Sequence, residues 1–214
     1  MEAPEHIAYQ ELQLKRLEAQ LIRNMFDVTI VQNASEALHL LKNAVTREMS
    51  IGFGGSRTLE QIGIIDYLAN GDYPKLLNRN KKGLSPDEKE DIQRAMFSAD
   101  VFLTGTNAIT MDGRLLNIDK NGNRVAAMMY GPKKVYVAAG VNKICASEEN
   151  AEGRAKQAAM MNAIRFNAGT PCLETLTCMD CRHSNRLCYY TTVIHRSWPA
   201  RRIHIVLINE TLGF

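Results

Sequence analysis

The sequence predicts an α/β fold. A mainly parallel sheet is covered on both faces by helices, three layers in all, with a β-hairpin and a cysteine-rich loop near the C-terminus. Three observations carry this. Short apolar runs alternate along the chain with helical patterns, the order that builds parallel sheets. The runs Val101-Phe102-Leu103 and Val135-Tyr136-Val137-Ala138-Ala139 lack the regular polar alternation of a half-exposed strand, as strands buried on both faces do. The 214 residues suit one domain burying roughly 70% of its unfolded surface. No Pro- or Ser-rich linker divides them, so residues 1–214 read as a single domain.

Each element has its local reason. From Glu5 to Met25, Leu14, Leu17, Leu21 and Met25 fall on one helical face with charges between them. Val28-Thr29-Ile30-Val31 reads as a strand. Asn33 followed by Glu36 signals a helix start, and Leu38, Leu41 and Val45 form its buried stripe. Met49-Ser50-Ile51 is a second strand, running into Gly52-Phe53-Gly54-Gly55-Ser56 and a helix, and Asn70-Gly71-Asp72 is a turn. Ser85-Pro86-Asp87-Glu88 supplies a cap, a proline for the first turn and acids for the positive end of the helix dipole. That helix is expected to turn Ile92, Ala95 and Met96 inward. After the strand at 101–103, Ala108-Ile109-Thr110 and Leu115-Leu116-Asn117-Ile118 flank Asp112-Gly113 as a hairpin. A helix over about 147–166 follows the strand at 135–139, and Ile203 to Ile208 closes the chain as a strand. The pairs Met128-Met129 and Met160-Met161 read as core filling, and His204 as a packing histidine.

Composition excludes several functions. The 26 basic and 23 acidic side chains leave a charge of +3, too small a bias for nucleic acid or a membrane surface. No apolar run approaches the length of a membrane span. Charges throughout the first 25 residues break any signal core, so the chain is expected in the cytoplasm, where thiols stay reduced.

Parallel sheets bind ligands beyond the carboxyl ends of their strands, and three segments fall there. Gly52, Gly54, Gly55 and Ser56 let a backbone approach an anion, and the helix after them presents free amides. A tight turn explains the same glycines, and neither a dinucleotide fingerprint nor a P-loop is present, so there is no nucleotide cofactor motif. Thr104, Gly105, Thr106 and Asn107 offer neutral hydrogen-bonding groups, with Asp119 a polar contact nearby. Asn142 and Lys143 close the third strand end, where a lysine holds an anion as a point charge. No catalytic triad or general-base pair stands out.

The five cysteines are the sharpest feature. Cys172, Cys178, Cys181 and Cys188 are spaced C-x5-C-x2-C-x6-C. Four thiolates complete a tetrahedral zinc site or hold an iron–sulfur cluster. A redox C-x2-C pair or two disulfides suit the same residues, and His183 is a substitute ligand. Cys145 stands apart as a packing residue. Arg182, Arg186, Arg196, Arg201 and Arg202 surround the cluster. They suit a four-thiolate site of negative charge, an acidic partner, or a solvated face.

Together these segments resemble a family. Thr104-Gly-Thr-Asn-Ala-Ile-Thr-Met-Asp-Gly113, Asn117-Ile-Asp119, Gly122-Asn-Arg124, Tyr130-Gly-Pro132, Gly140-Val-Asn-Lys143 and Arg154 are similar to the LUD-domain (lactate-utilisation) proteins. The Cys172–Cys188 region and Asn209 to Phe214 resemble a small single-domain branch of them. The resemblance implies the fold of ribose-5-phosphate isomerase, glucosamine-6-phosphate deaminase and the CoA transferases. It also implies a place in lactate oxidation, alongside separate iron–sulfur subunits. Phosphosugar isomerases of this fold carry a general-base aspartate where this chain has Thr104 to Asn107, which weakens an isomerase reading, and no glutamate nucleophile of the CoA-transferase kind stands out.

Two functions follow as expectations. In the first, a small anionic ligand, carboxylate or phosphate, binds among the residues named, with zinc or an iron–sulfur cluster on the four cysteines. In the second, the chain is a non-catalytic subunit or sensor docking an oxidoreductase partner. Assembly as a homo-oligomer is compatible with both.

Overall fold

The structure, a computed structural model, describes residues 3–214. In chain order the first half comprises α1 (Pro4–Arg23), β1 (Asp27–Val31), α2 (Ala34–Asn43), β2 (Ile51–Phe53), α3 (Arg57–Ile62), α4 (Ile64–Asn70), β3 (Leu76–Leu77) and α5 (Pro86–Ala95). Then come β4 (Val101–Gly105), β5 (Ala108–Thr110), β6 (Leu115–Asp119), α6 (Asn123–Met129), β7 (Lys134–Gly140) and β8 (Ile144–Cys145). The last are α7 (Glu148–Arg165), α8 (Cys172–Thr175), β9 (Tyr190–Ile194) and β10 (Ile203–Ile208).

Among the described residues the strands form two sheets. The larger has six strands in the order β1-β10-β7-β4-β2-β3, and every neighbouring pair is parallel. Because side chains alternate across a strand, each apolar run supplies two cores at once. Ile203, Ile205 and Leu207 of β10 face one side with Phe102 and the α1 stripe Leu14, Leu17 and Leu21. Val206 and Ile208 face the other with Val101, Leu103 and the helices α2, α3 and α4. Burial on both faces is why these strands carry almost no polar residue.

The smaller sheet runs β8-β5-β6-β9. The expected hairpin is its centre, with Ile109 opposite Leu115 across a turn holding Asp112 and Gly113 at φ 81°. Strand β9 extends it antiparallel, Leu115 opposite Ile194. Helix α7 covers it with Ala151, Ala155 and Ala158, small side chains that let the helix lie close.

Several expectations shift by a turn or a face. Helix α1 ends at Arg23 because Met25 takes φ 63°, outside the helical region. Strand β2 starts at Ile51 and runs to Phe53 through Gly52. Ala95 is exposed and Leu38 half-buried, and Met129 is exposed although Met128 is fully buried. His204 packs as expected, bonding Thr29 Oγ1 at 2.9 Å beside the Tyr136 ring.

The topology locates the crevice. From β2 the chain moves outward to β3, and from β4 it moves the opposite way to β7, so β2 and β4 are neighbours whose connections diverge. Such a divergence opens a crevice at the carboxyl ends. Register places Phe53 beside Leu103, so the segments after β2 and β4 leave side by side, and Gly54 N–H donates to Leu103 O at 2.9 Å.

Candidate anion-binding cleft

A cleft of about 390 Å³ occupies that crevice. Gly55 and Ser56 form one edge, Gly105, Thr106 and Asn107 another, and Asp119, Lys143 and the far turn of α7 complete it. Seven of the eleven residues expected to bind ligand therefore share one cavity. The other four support it or lie elsewhere. Gly52 belongs to the core, where a Cβ would meet Met96 Cγ at 2.8 Å. Gly54 passes beneath Arg124, whose Cδ a Cβ would meet at 3.2 Å, with Thr104 Oγ1 at 3.0 Å. Thr104 itself is fully buried, its hydroxyl donating to Gly105 O. Asn142 fastens the last residues, its Oδ1 accepting from Leu212 N–H at 3.2 Å and its amide donating to Gly213 O at 3.3 Å.

The origin of the positive field differs from the expected one. Helix α3 has only six residues, and Ser56 caps it by accepting from Leu59 N–H, so the dipole is short and its first turn partly satisfied. Side chains supply the charge instead. Arg57, Arg79, Lys120, Arg124, Lys143 and Arg165 line the cleft against one acidic side chain, Asp119.

These cations are not equivalent. Arg124 is a half-buried girder: it donates to Asn117 Oδ1 at 2.6 Å, Ile118 O at 2.8 Å, and Gly105 O and Asn107 Oδ1 at 3.2 Å. It thereby ties the end of β4 to β6. Asp119 is similarly committed, 3.7 Å from Arg124 Nε and accepting from the amides of Val125 and Lys120. Arg57 and Arg165 both pair with Glu60. Arg154 of α7 donates to the carbonyls of Asn142 and Asn107, holding the third strand end against the second.

Three cations remain available: Arg79, Lys143 and the exposed Lys120. Among the described residues the half-buried Arg79 guanidinium makes no ion pair or hydrogen bond. It reaches to the bare face of Gly55, where a Cβ would lie 3.2 Å from Nη2. Burial lowers its pKa, with Asp119 opposing that and Arg165 adding to it. Lys143 is only 3% exposed, and its Nζ touches Thr58 Oγ1 at 2.7 Å. Burial, reinforced by Arg154 and Arg124, brings its pKa from 10.5 down to about 7. An ammonium so placed changes charge near neutrality and is suited to exchange a proton with whatever binds beside it.

Sequence reasoning missed Arg57, Arg79 and Arg165, and held Arg124 only as part of a family pattern. Each alone reads as a solvated surface charge. They come from elements spread across more than one hundred residues, and no local spacing announces their convergence.

The four clustered cysteines are also brought together. Cys172, Cys178, Cys181 and Cys188 line one small cavity of about 30 Å³. Ala159 and Leu187 line both this cavity and the cleft, so the two share a wall. All four cysteines are free thiols, as is the buried Cys145, which packs against α7 and the small sheet. Among the described residues no three His, Cys, Asp or Glu side chains stand as a ready-made ligand group for one metal ion. His183 lies off the cavity, accepting from Asn185 N–H at 3.2 Å. The basic stretch divides: Arg186 and Arg202 turn inward onto backbone carbonyls, and Arg182, Arg196 and Arg201 stay exposed. No helix among the described residues is long and apolar enough to cross a membrane.

Comparison with known proteins agrees with the fold. The sequence model of the LUD domain matches residues 14–208. A crystal structure of a DUF162-family protein from Deinococcus radiodurans superposes with a TM-score of 0.55 at 12% identity, covering 94% of this chain and 98% of its own. At that identity it establishes the shared fold. No functionally curated protein matches the sequence significantly.

Proposed function

The chain belongs to the LUD-domain family, and from its cleft we propose that it binds a small organic acid through carboxylate or phosphate groups, in the service of lactate-type organic-acid oxidation. The observation that supports this is the Arg79 guanidinium, unpaired among the described residues, beside a backbone with no side chain in its way. A partly buried charge without a partner carries an uncompensated desolvation cost, and an anion seated against Gly55 removes it. Lys143, on a separate element, accommodates a second anionic group or a hydroxyl or oxo group next to the carboxylate. The cleft, about 390 Å³, is large enough for a ligand of a few carbons.

The division of labour follows from the contacts. Arg124, Arg154 and Asp119 shape the walls and are saturated by protein. Arg79 and Lys143 meet the ligand. With Asp119 committed, Lys143 is the group suited to give or take a proton there.

The test is a thermal-unfolding panel with lactate, pyruvate, inorganic phosphate and 3-phosphoglycerate. A ligand present at 100 times its Kd stabilises the folded state by about 2.7 kcal/mol. A dose-dependent rise in melting temperature with at least one acid, and none with a neutral sugar, is expected. No rise with any of the acids contradicts the reading.

A further inference from the structure

We propose that Cys172, Cys178, Cys181 and Cys188 hold an iron–sulfur cluster of the four-iron type against the wall of the anion cleft. The inference stands on the cysteine cavity alone and holds whether or not the cleft binds an acid.

The first observation is convergence. Two of the thiols come from a C-x2-C turn made possible by Asp180 at φ 45°, one from the start of α8, and one from the residues just before β9. These separated segments put all four around a single space. The second is the spacing of the thiols. In a tetrahedral zinc site four sulfurs sit about 2.3 Å from the ion, in van der Waals contact with one another. Here all four thiols line one cavity, yet among the described residues no three ligand-type side chains are grouped closely enough to share a single ion. Thiolates that bind the corners of a cubane stand further apart, with inorganic sulfide between them.

The third observation points to the ligand's charge. Arg186 folds over the cavity, its Nη atoms donating to the carbonyls of Cys181 and Cys188 and to Asp180. Among the described residues its Nε is buried without a partner. A buried donor left unpaired calls for an acceptor, and a thiolate or cluster sulfide supplies one. Lys156, paired with Glu152, lines the cavity as a second cation, and Met160, Ala163 and Leu187 supply its apolar lining. Cationic donors and an apolar cover are the means by which a protein holds a negatively charged cluster.

The test uses the whole chain purified without oxygen and reconstituted with ferrous iron and sulfide. The expected result is about four iron and four acid-labile sulfide per chain, with broad visible absorption that bleaches on reduction. Cys178→Ser and Cys181→Ser lose the iron and the colour, while Cys145→Ala keeps both, circular dichroism reporting the fold of each variant. The wild-type stoichiometry decides the matter even if a serine variant fails to fold. One zinc per chain that iron does not replace, or no metal retained after reconstitution, overturns the proposal.

Discussion

A guanidinium that lacks a protein partner is the most sensitive point at which to perturb this cleft. Replacing Arg79 by Gln keeps much of the side chain's length and removes the charge. A charge-assisted hydrogen bond contributes about 1.5–3 kcal/mol, so binding of an anionic probe such as 3-phosphoglycerate is expected to weaken about tenfold to hundredfold with the melting temperature of the free protein little changed. Fluorescence or calorimetric titration reads the first and thermal unfolding the second. Lys143 gives a pH signature. Its folded-state pKa of about 7 lies below the ordinary 10.5, so between these values the unfolded chain holds a proton that the folded chain lacks. Stability of the free protein therefore rises as pH climbs from about 7 towards 10.5, with no such rise below 7. Lys143→Met removes that rise, as denaturant titrations across the window will show. An anion touching the ammonium raises its pKa, so binding takes up a proton above about pH 7 and affinity falls there by at most about tenfold per pH unit. Lys143 was a candidate in the sequence because it follows a buried strand. Arg79 was not, since nothing within ten residues distinguishes it from a lysine or arginine in a solvated loop.

Among elements, the β2–β4 pair matters most, because the crevice opens where these strands end. A clasp at their other end holds them in register. Asp100 accepts from Ser50 N–H at 2.9 Å and from its hydroxyl at 2.8 Å, and pairs with Lys133 at 2.7 Å. The Lys133 bond first, then the Ser50 bonds, hold its carboxyl well below the usual range near 3.8. The stabilisation is thus complete above the ordinary aspartate pKa and is lost as pH falls below it. Asp100→Asn is expected to destabilise the protein at neutral pH, with the difference closing in strong acid; urea unfolding at about pH 7 and about pH 2 checks both arms. The strands flanking this pair were legible for a physical reason. Double burial demands apolar residues at successive positions, and Val101 to Leu103, Val135 to Ala139 and Ile203 to Ile208 comply. The smaller sheet was legible only as its central hairpin. Strand β9 carries Tyr190, Thr191 and Thr192, largely exposed, and its partner β6 lies some seventy residues earlier. Long-range pairing of that kind leaves no periodicity to read. Helix α5 shows the converse: its capping box was evident and forms as expected, but the helix buries none of its side chains, so Ala95 faces outward.

At the scale of the molecule, two cavities share a wall. The crevice of the large sheet supplies one, and the loop between α7 and β9 supplies the other, with Ala159 and Leu187 between them. The net charge of +3 conceals a local imbalance: six cationic side chains and one acidic side chain line a single cleft. Salt is accordingly expected to weaken anion binding by screening, since the Debye length shortens from about 10 Å at 0.1 M to about 3 Å at 1 M ionic strength. The most direct measurement of the central claim is a calorimetric titration of the acid that stabilises the protein most, among lactate, pyruvate, inorganic phosphate and 3-phosphoglycerate, into the wild-type chain and the Arg79→Gln chain under identical conditions. One site per wild-type chain, weakened at least about tenfold in the variant, is the predicted result. Equal affinity in the two chains, or an absence of binding to the wild type, would contradict it.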